Sequence, residues 1–306
     1  MTRVVLIAAL VAVVAGLAAA AGEGRAPTKV TIAAAGDIAC DPASSSYNGG
    51  AGSELECRQL ATSNLLAARR YTAVLTLGDN QYENGEHANF VESYSRSWGR
   101  FRAVTRPSAG NHDYETPGAT GYYRYFGAAA GNPNRGYYSF ELGSWHLIAL
   151  NSNCAAVGGC GTWSPQVRWL RADLKSHRGV RCTLAYWHHP RFSSGEHGSD
   201  PMYLPFWRAL FNERADVVLV GHDHDYERFA PQTPSGLRDP TRGIREFVVG
   251  TGGKLLRGFQ TTQPNSEVRD SETFGILALT LLPKRYGWRF IPAVGSFTDV
   301  GSGVCH

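Results

Sequence analysis

The segment Gly221-His222-Asp223-His224 constrains this chain more than any other stretch of its sequence. It follows residues 215–220, an apolar and mostly β-branched run that predicts a buried strand. Gly221 permits a sharp turn where that strand ends. Side chains two residues apart in an extended segment point to the same side, so both imidazoles can enter one polar cavity. The pattern indicates metal ligands, and the alternative is a surface loop that happens to be rich in histidine.

The composition is that of a globular chain and argues against nucleic acid as a partner. Of the 306 residues 43% are hydrophobic, which is enough for a large core, and the net charge is only +4. The basic residues are scattered and form no stripe or aromatic-interleaved patch in the sequence. A mildly basic chain can still favour anionic substrates.

The N-terminal residues have the layout of an export signal. Arg3 precedes an apolar run over residues 4–14, and small residues over 16–21 offer a cleavage site. We therefore predict a signal peptide over residues 1–21, a linker over 22–28 and one domain over 29–306. The protein would then be secreted, without a membrane partner after cleavage. The alternative is a retained membrane anchor, for which the apolar run has marginal length.

The six cysteines favour disulfides over free thiols, because their number is even and an export signal precedes them. Sequence alone does not fix their connectivity. Closing the shortest loops first gives the pairs Cys40–Cys57, Cys154–Cys160 and Cys182–Cys305. A zinc finger is not favoured, since the sequence contains no C-x-x-C pair.

Strands and helices alternate over the first part of the chain, and a strand-rich tail follows. The periodicity predicts strands at 29–35, 72–77, 137–142, 145–150, 181–187, 217–220, 247–249, 275–282 and 287–291. It predicts helices at 54–70, 90–98, 165–177 and 203–212. This alternation indicates a layered α/β architecture.

Metal-capable side chains recur just after the predicted strands, where sites form in α/β folds. The candidate ligands are two carboxylates, a phenol, a carboxamide and three imidazoles: Asp37, Asp79, Tyr82, Asn111, His188, His222 and His224. Such a set suits two metal ions rather than one, and a carboxylate such as Asp79 can bridge two ions. Oxygen and imidazole ligands without sulfur favour iron, manganese or zinc.

Five sequence blocks carry a family resemblance. In order they are Asp37, Gly78-Asp79-x-x-Tyr82, Gly110-Asn111-His112-Asp113, His188-x-Pro190 and Gly221-His222-x-His224. With these blocks the chain resembles the calcineurin-like metallophosphoesterases, and more closely the purple acid phosphatases, as a secreted bacterial type with a single catalytic domain. The resemblance implies an α/β fold with a two-sheet β-sandwich core flanked by helices, in four layers α/β/β/α.

The resemblance also implies a role for each candidate ligand. Asp37, Tyr82 and His224 would hold the first ion, Asp79 would bridge, and Asn111, His188 and His222 would hold the second ion. A tyrosinate at position 82 would stabilise Fe(III), which implies Fe(III) paired with Fe, Zn or Mn. The alternative for Tyr82 is a packed aromatic side chain. His189 is expected to face away, since adjacent strand residues point to opposite sides.

Four further residues are expected beside the ligands by the same resemblance. His112 and His197 would contact the substrate phosphate or the leaving-group oxygen, and the alternative for His197 is a solvated loop histidine. Asp113 and Asp223 are expected to orient neighbouring imidazoles.

The implied activity is hydrolysis of phosphate esters, most directly phosphomonoesters, by a metal-bound hydroxide. His197 or His112 would give a proton to the departing alkoxide. One alternative is a phosphodiesterase of the same fold that acts on cyclic nucleotides or other diesters. A different class of alternative is a secreted metal-binding protein without catalysis.

Overall fold

The computed structural model describes Met1 and residues 29–306. Apart from Met1, the predicted signal peptide and linker lie outside the described residues. The α-helices are α1 (Gln59–Ala67), α2 (His87–Glu92), α3 (Asn111–Glu115), α4 (Thr120–Phe126), α5 (Pro165–Ser176) and α6 (Leu204–Asn212). The strands are β1 (Val30–Ala35), β2 (Ala73–Leu77), β3 (Thr105–Ser108), β4 (Tyr138–Leu142), β5 (Trp145–Ala149), β6 (Cys182–Tyr186), β7 (Val217–Val220), β8 (Tyr226–Phe229), β9 (Arg245–Val249), β10 (Ser266–Asp270), β11 (Gly275–Leu282), β12 (Arg285–Pro292) and β13 (Val300–Val304).

The strands form two mixed sheets. The first sheet has the order β13-β12-β11-β1-β2-β3, and the second has the order β10-β8-β9-β7-β6-β5-β4. Strands β1, β2 and β3 are parallel neighbours, as are β5, β6, β7 and β9. This arrangement confirms the predicted two-sheet sandwich with flanking helices.

Alternation of side chains gives the second sheet two apolar faces. Leu184 and Leu219 point into the sandwich and share a core with Leu75 of the first sheet. Ala185 and Val218 point the other way, into a separate core beneath α5 and α6. Burial of one large apolar side chain contributes roughly 1.5–3 kcal/mol to the free energy of folding. Apolar packing therefore stabilises the second sheet on both of its faces.

Helix α5 follows directly from its sequence. The side chain of Ser164 accepts the backbone N–H of Val167, and Pro165 occupies the first turn, where its missing N–H costs nothing. Leu170 and Leu174 recur on one face and are buried against the second sheet. The predicted helix over 165–177 therefore differs from the observed one by a single residue.

Helix α1 is shorter than the predicted helix over 54–70. The segment before it cannot be helical, because Cys57 is bonded to Cys40 and has a positive φ of 61°. Glu56 also pairs with Leu255 in an isolated β-bridge. The predicted helix over 90–98 is likewise broken, and only α2 and short 3₁₀ turns occupy this region.

The disulfides of the described chain are the pairs that the shortest-loop argument favoured: Cys40–Cys57, Cys154–Cys160 and Cys182–Cys305. The last of them joins the start of β6 in the second sheet to the residue after β13 in the first sheet. Among the described helices, none has both the length and the apolar character that crossing a bilayer demands.

Candidate metal centre

The candidate ligands all follow strands whose carboxyl ends meet at one edge of the sandwich. Asp37 follows β1, Asp79 follows β2, and Asn111 follows β3. His188 follows β6 and His222 follows β7, so the second sheet supplies imidazoles where the first sheet supplies oxygen ligands. Parallel neighbours end at the same edge, which explains how residues far apart in the sequence come together.

One set of donor atoms is buried deepest, and we call it the first donor group: Asp37, Tyr82 and His224. The phenolic oxygen of Tyr82 lies 2.9 Å from Asp37 Oδ1 and 3.1 Å from His224 Nε2. His224 Nε2 lies 3.3 Å from Asp37 Oδ1, which closes the triangle. Each of these residues is at most 4% exposed.

The second donor group consists of Asn111, His188 and His222. His188 Nε2 lies 3.0 Å from Asn111 Oδ1 and 3.2 Å from His222 Nδ1. Asp79 contacts both groups, because its Oδ2 lies 3.0 Å from the Tyr82 hydroxyl and 3.3 Å from His188 Nε2. The two donor groups therefore share one carboxylate oxygen.

Backbone N–H groups fix the two carboxylates. His222 donates its backbone N–H to Asp37 Oδ2 at 2.9 Å, and His112 donates its backbone N–H to Asp79 Oδ1 at 2.8 Å. Each carboxylate thus has one oxygen held by the chain and one oxygen free to face the cluster. A charge-assisted bond of this kind is strong enough to fix the side-chain direction.

Carbonyl groups fix the orientation of two imidazoles. His188 Nδ1 lies 2.8 Å from the carbonyl oxygen of Leu77, and His224 Nδ1 lies 3.0 Å from that of Leu255. A carbonyl only accepts, so Nδ1 carries the hydrogen in both rings and donates it. When Nε2 carries no proton, each ring directs its Nε2 lone pair into the cluster, as metal-binding histidines do.

The electrostatics of the cluster favour positive charge. Burial opposes ionisation of Asp79, but the surrounding imidazoles, His188 foremost, hold its pKa well below the usual range. Burial by itself would lower the pKa of His188, yet the Asp79 carboxylate outweighs this and raises it to about 9. Burial and the two carboxylates raise the pKa of Tyr82 well above its usual value. The buried carboxylates thus favour a proton or a bound cation within the cluster.

The donor set fits metal ions. The lone pairs of carboxylate, carboxamide and imidazole atoms converge within about 3 Å of one another, and this is repulsive unless a proton or cation lies among them. Each donor group offers oxygen and nitrogen ligands without thiolate, the chemistry that suits iron, manganese or zinc. Either group could hold one ion, with Asp79 shared.

The cluster opens to solvent on the side of the second donor group. Asn111 and His222 are half-buried, whereas the first group is enclosed. His197 is exposed, and its ring stacks on His222 with centroids 4.1 Å apart. His112 is half-buried, with its ring 4.3 Å from that of Tyr82 and its Nδ1 2.6 Å from the Glu83 carbonyl oxygen. Both histidines therefore border the opening.

Asp113 and Asp223 accept hydrogen bonds from backbone N–H groups and from the side chains of Asn80 and Ser193, respectively. Asp113 accepts N–H bonds from Gly110 and Asn80, and burial, together with Asp79, raises its pKa to about 7. Asp223 accepts the backbone N–H of His197 at 2.7 Å. These bonds do not involve an imidazole ring, and the role of the two carboxylates in orienting neighbouring imidazoles stays a prediction.

Sequence reasoning missed two neighbours of the cluster. His189 does not face away: its ring lies 4.3 Å from His222 and 4.8 Å from His188, and burial lowers its pKa to about 3. The adjacent pair of histidines was the available signal. Lys254 lies over the Tyr82 ring at 5.0 Å and forms an ion pair with Glu83, and no sequence pattern marked it.

The sequence comparisons agree with the fold. The family model of calcineurin-like phosphoesterases matches residues 30–226. The chain is 30% identical over 234 residues to the uncharacterised protein Rv2577 of Mycobacterium tuberculosis, covering 60% of this chain and 44% of that protein. It is 27% identical over 231 residues to purple acid phosphatase 18 of Arabidopsis thaliana, covering 67% and 50%. The chain thus spans about half the length of the curated relatives it matches.

Solved structures of low sequence identity share the fold. Purple acid phosphatase PPD1 from yellow lupin superposes with a TM-score of 0.72 at 18% identity, covering 92% of this chain and 54% of that one. GAP50, the anchor in the inner membrane complex of Plasmodium, gives a TM-score of 0.62 at 13% identity, covering 91% and 89%. Because the family model covers most of the described residues, the chain belongs to the calcineurin-like phosphoesterase family.

Proposed function

We propose that residues 29–306 form a catalytic domain that hydrolyses phosphate esters, most readily phosphomonoesters, with two metal ions. The observation that carries this proposal is the contact of Asp79 Oδ2 with both donor groups. A shared carboxylate between two triads of oxygen and nitrogen donors is what a pair of neighbouring ions needs. A site for one structural ion would not need so many donors.

Each donor group would hold one ion. Asp37, Tyr82 and His224 would bind the first ion. A tyrosinate ligand at position 82 favours Fe(III) there. Asn111, His188 and His222 would bind the second ion, for which Fe, Zn or Mn is suitable. When bound, the ions supply Lewis acidity toward phosphoryl oxygens and activate a water molecule.

His112 and His197, which border the opening, would contact the substrate and supply the proton for the leaving group. The opening beside Asn111 and His222 gives a phosphate ester access from solvent, and His112 and His197 border that opening. His197 is exposed and would donate a proton to the departing alkoxide, while the Glu83 carbonyl holds the His112 ring against the site. The Asp223 carboxylate supports this arrangement, because it fixes the backbone of His197.

The relatives support a phosphatase, but the fold alone does not. Relatives include enzymes called purple acid phosphatases, one of them a Fe(3+)-Zn(2+) enzyme of Arabidopsis thaliana with 26% identity. GAP50 shows that proteins of this fold also serve as anchors. The complete donor set favours hydrolysis over a metal-binding protein without catalysis.

We further propose that the protein is exported and acts on small phosphate esters, with neither nucleic acid nor a membrane as a partner. The signal-like sequence over residues 1–21 supports export, and so do the three disulfides, which persist in oxidising compartments.

Turnover of p-nitrophenyl phosphate tests the proposal. His222→Ala removes a nitrogen of the second donor group, and we expect kcat to fall by at least about 100-fold with loss of bound metal, since changes behind a ligand already cost roughly 10–100-fold. His177→Ala is the control, because His177 directly follows α5 and contacts none of the donors. Unchanged turnover in His222→Ala, or a metal-loaded wild type that cleaves no ester, would overturn the proposal.

The ester preference is tested with p-nitrophenyl phosphate and its bis-ester on the same preparation. A monoester presents more unesterified oxygens to the imidazoles at the rim than a diester does. We therefore expect a higher kcat/KM for the monoester. A higher value for the diester would identify a phosphodiesterase with the same site.

A further inference from the structure

We infer that His189 donates a hydrogen bond to the phosphoryl group of the substrate and that Ser152 holds it in the form that can donate. This inference rests on the proposed function, because it adds a substrate contact to the same site. It concerns a residue outside both donor groups.

The His189 ring is held at the edge of the second donor group. Its centroid lies 4.3 Å from that of His222 and 4.8 Å from that of His188. A ring nitrogen of each of these three histidines lies within 4.8 Å of those of the other two. On another side the ring stacks on Tyr203, with centroids 5.7 Å apart and an interplanar angle of 22°. Packing against three rings leaves His189 little freedom.

The Ser152 hydroxyl determines which nitrogen of His189 carries the hydrogen. Ser152 Oγ accepts the backbone N–H of His189 at 3.1 Å and lies 2.8 Å from Nδ1 of the same residue. Within the described chain, Nδ1 is the one acceptor near this hydroxyl. When Ser152 donates to Nδ1, both groups are satisfied and Nε2 carries the hydrogen. The side chain is then a fixed neutral donor.

The remaining nitrogen of His189 is available to a ligand. Nε2 has no hydrogen-bond partner among the described residues, and it is not among their buried unpartnered atoms. This N–H therefore keeps access to solvent, on a ring that lies beside His222. His197 packs on the same His222 ring, at 4.1 Å. A phosphoryl group above His222 would therefore meet N–H donors from both neighbours.

A ligand role for His189 is less consistent with these contacts. Its Nδ1 already receives the Ser152 hydroxyl, and the second donor group has three donors of its own in addition to Asp79. The two roles make opposite predictions for metal content. A substrate donor can be removed without loss of metal, whereas a ligand cannot.

Phosphate affinity and metal content together test the inference. His189→Phe retains the ring that packs on Tyr203 and removes both nitrogens. We expect the Kd of inorganic phosphate for the metal-loaded protein, measured by calorimetry, to rise at least about tenfold, since a bond to a charged group is worth roughly 1.5–3 kcal/mol. Metal content should equal that of the wild type. His177→Phe, at a remote and partly exposed histidine, should change neither quantity.

The positioning role of Ser152 has its own readout. Ser152→Ala leaves the imidazole in place but removes the hydroxyl, so we expect weaker phosphate binding, about threefold, with a raised KM and little change in kcat. Ser152→Thr retains a hydroxyl at this position and should retain the phosphate affinity of the wild type. Because Ser152→Ala leaves the packed rings intact, it also serves if His189→Phe fails to fold.

The outcomes separate this inference from the proposed function. Unchanged phosphate affinity in His189→Phe and Ser152→Ala would overturn the substrate contact, and loss of metal in His189→Phe would make the residue a ligand instead. If the wild type binds phosphate but cleaves no ester, the proposed function fails while the comparison of phosphate affinities still decides the role of His189.

Discussion

At the scale of single residues, the centre depends on backbone conformations that side chains rarely adopt. Asp37, Asp79 and His222 have positive φ angles of 61°, 46° and 70°. They are three of the eight non-glycine residues with positive φ in the described chain. Each such conformation costs on the order of 1–3 kcal/mol and persists where surrounding contacts enforce it. Here the enforced turns aim the side chains into the cluster.

The pair formed by Asp37 and His222 illustrates how that strain is held. The backbone N–H of His222 bonds to Asp37 Oδ2, so two strained turns from different sheets stabilise each other. The same bond leaves Asp37 Oδ1 facing Tyr82 and His224. This one hydrogen bond therefore orients the Asp37 carboxylate and also connects the two sheets.

Asn111 supplies the carboxamide of the second donor group, and its replacement gives a test at this scale. In Asn111→Ala we expect bound metal to fall from about two ions to about one per chain and kcat to fall by roughly 10–100-fold, because one oxygen donor to the second ion is lost. Metal analysis and ester turnover on the same sample measure both effects. Asn134→Ala, on an exposed loop, should alter neither. Full metal content and full turnover in Asn111→Ala would exclude the assignment.

The sequence predicts which residues meet here better than it predicts their neighbours. The seven candidate ligands follow strands, and strand ends are readable from apolar runs. His189 was placed wrongly because the alternation rule holds only inside a strand. Strand β6 ends at Tyr186, so His188 and His189 already lie in a turn where adjacent side chains can share one side.

At the scale of elements, long apolar segments were predictable and short irregular ones were not. Strand β11 has the predicted bounds, and β7 occupies 217–220, the shorter of the two ranges predicted for it, since both are rich in apolar residues. Strand β3 was missed because Pro107 interrupts its pattern, and proline is tolerated there since β3 is an edge strand. Helices α3 and α4 were missed too, as each is at most seven residues long.

The turn after β2 gives a prediction for an element. Gly78 has a φ of +84°, and a Cβ at this position would lie 2.5 Å from the imidazole of His188. Gly78→Ala therefore adds a clash to the strain of a left-handed residue. We expect it to lower the free energy of unfolding by roughly 2–5 kcal/mol and to reduce metal binding, because His188 must shift.

Gly49→Ala is the matched control for that clash. Gly49 is also left-handed, with a φ of +62° and a ψ of 21°, but a Cβ there meets no atom within 4 Å. This variant should lose only about 1–2 kcal/mol and keep its metal. Urea unfolding and metal analysis measure both quantities. Equal losses in the two variants would mean that the approach of β2 to His188 is not close in solution.

At the scale of the whole molecule, the sequence indicates the layers but not which strands are neighbours. Alternating strands and helices predict an α/β sandwich. Nothing local, however, pairs β1 with β11, whose partners Val30 and Leu281 are far apart in the chain. Such pairings arise from the joint burial of apolar faces, which depends on every strand at once. The site was predictable only because its members share strand ends.

Two connections hold the sheets together at different places. The donor cluster connects them beyond the carboxyl ends of β1, β2, β6 and β7. The Cys182–Cys305 disulfide connects them at the first residue of β6, which is the opposite end of that strand. The length of β6 separates the disulfide from the donor cluster. Replacing the two cysteines therefore changes no residue that contacts a donor.

Removal of this disulfide should therefore destabilise the fold and spare the site. The Cys182–Cys305 bond closes a span of 123 residues and Cys154–Cys160 a span of 6. By loop-closure entropy, loss of the long span should lower the free energy of unfolding by about 5 kcal/mol, against about 2 kcal/mol for the short span. Double Cys→Ser variants of each pair, compared by urea unfolding, measure the difference, and metal content should stay at the wild-type level in the Cys182→Ser, Cys305→Ser variant. Equal losses would show that the long bond adds no constraint beyond what the packed sheets supply, and lost metal would show that the two ends of β6 are coupled.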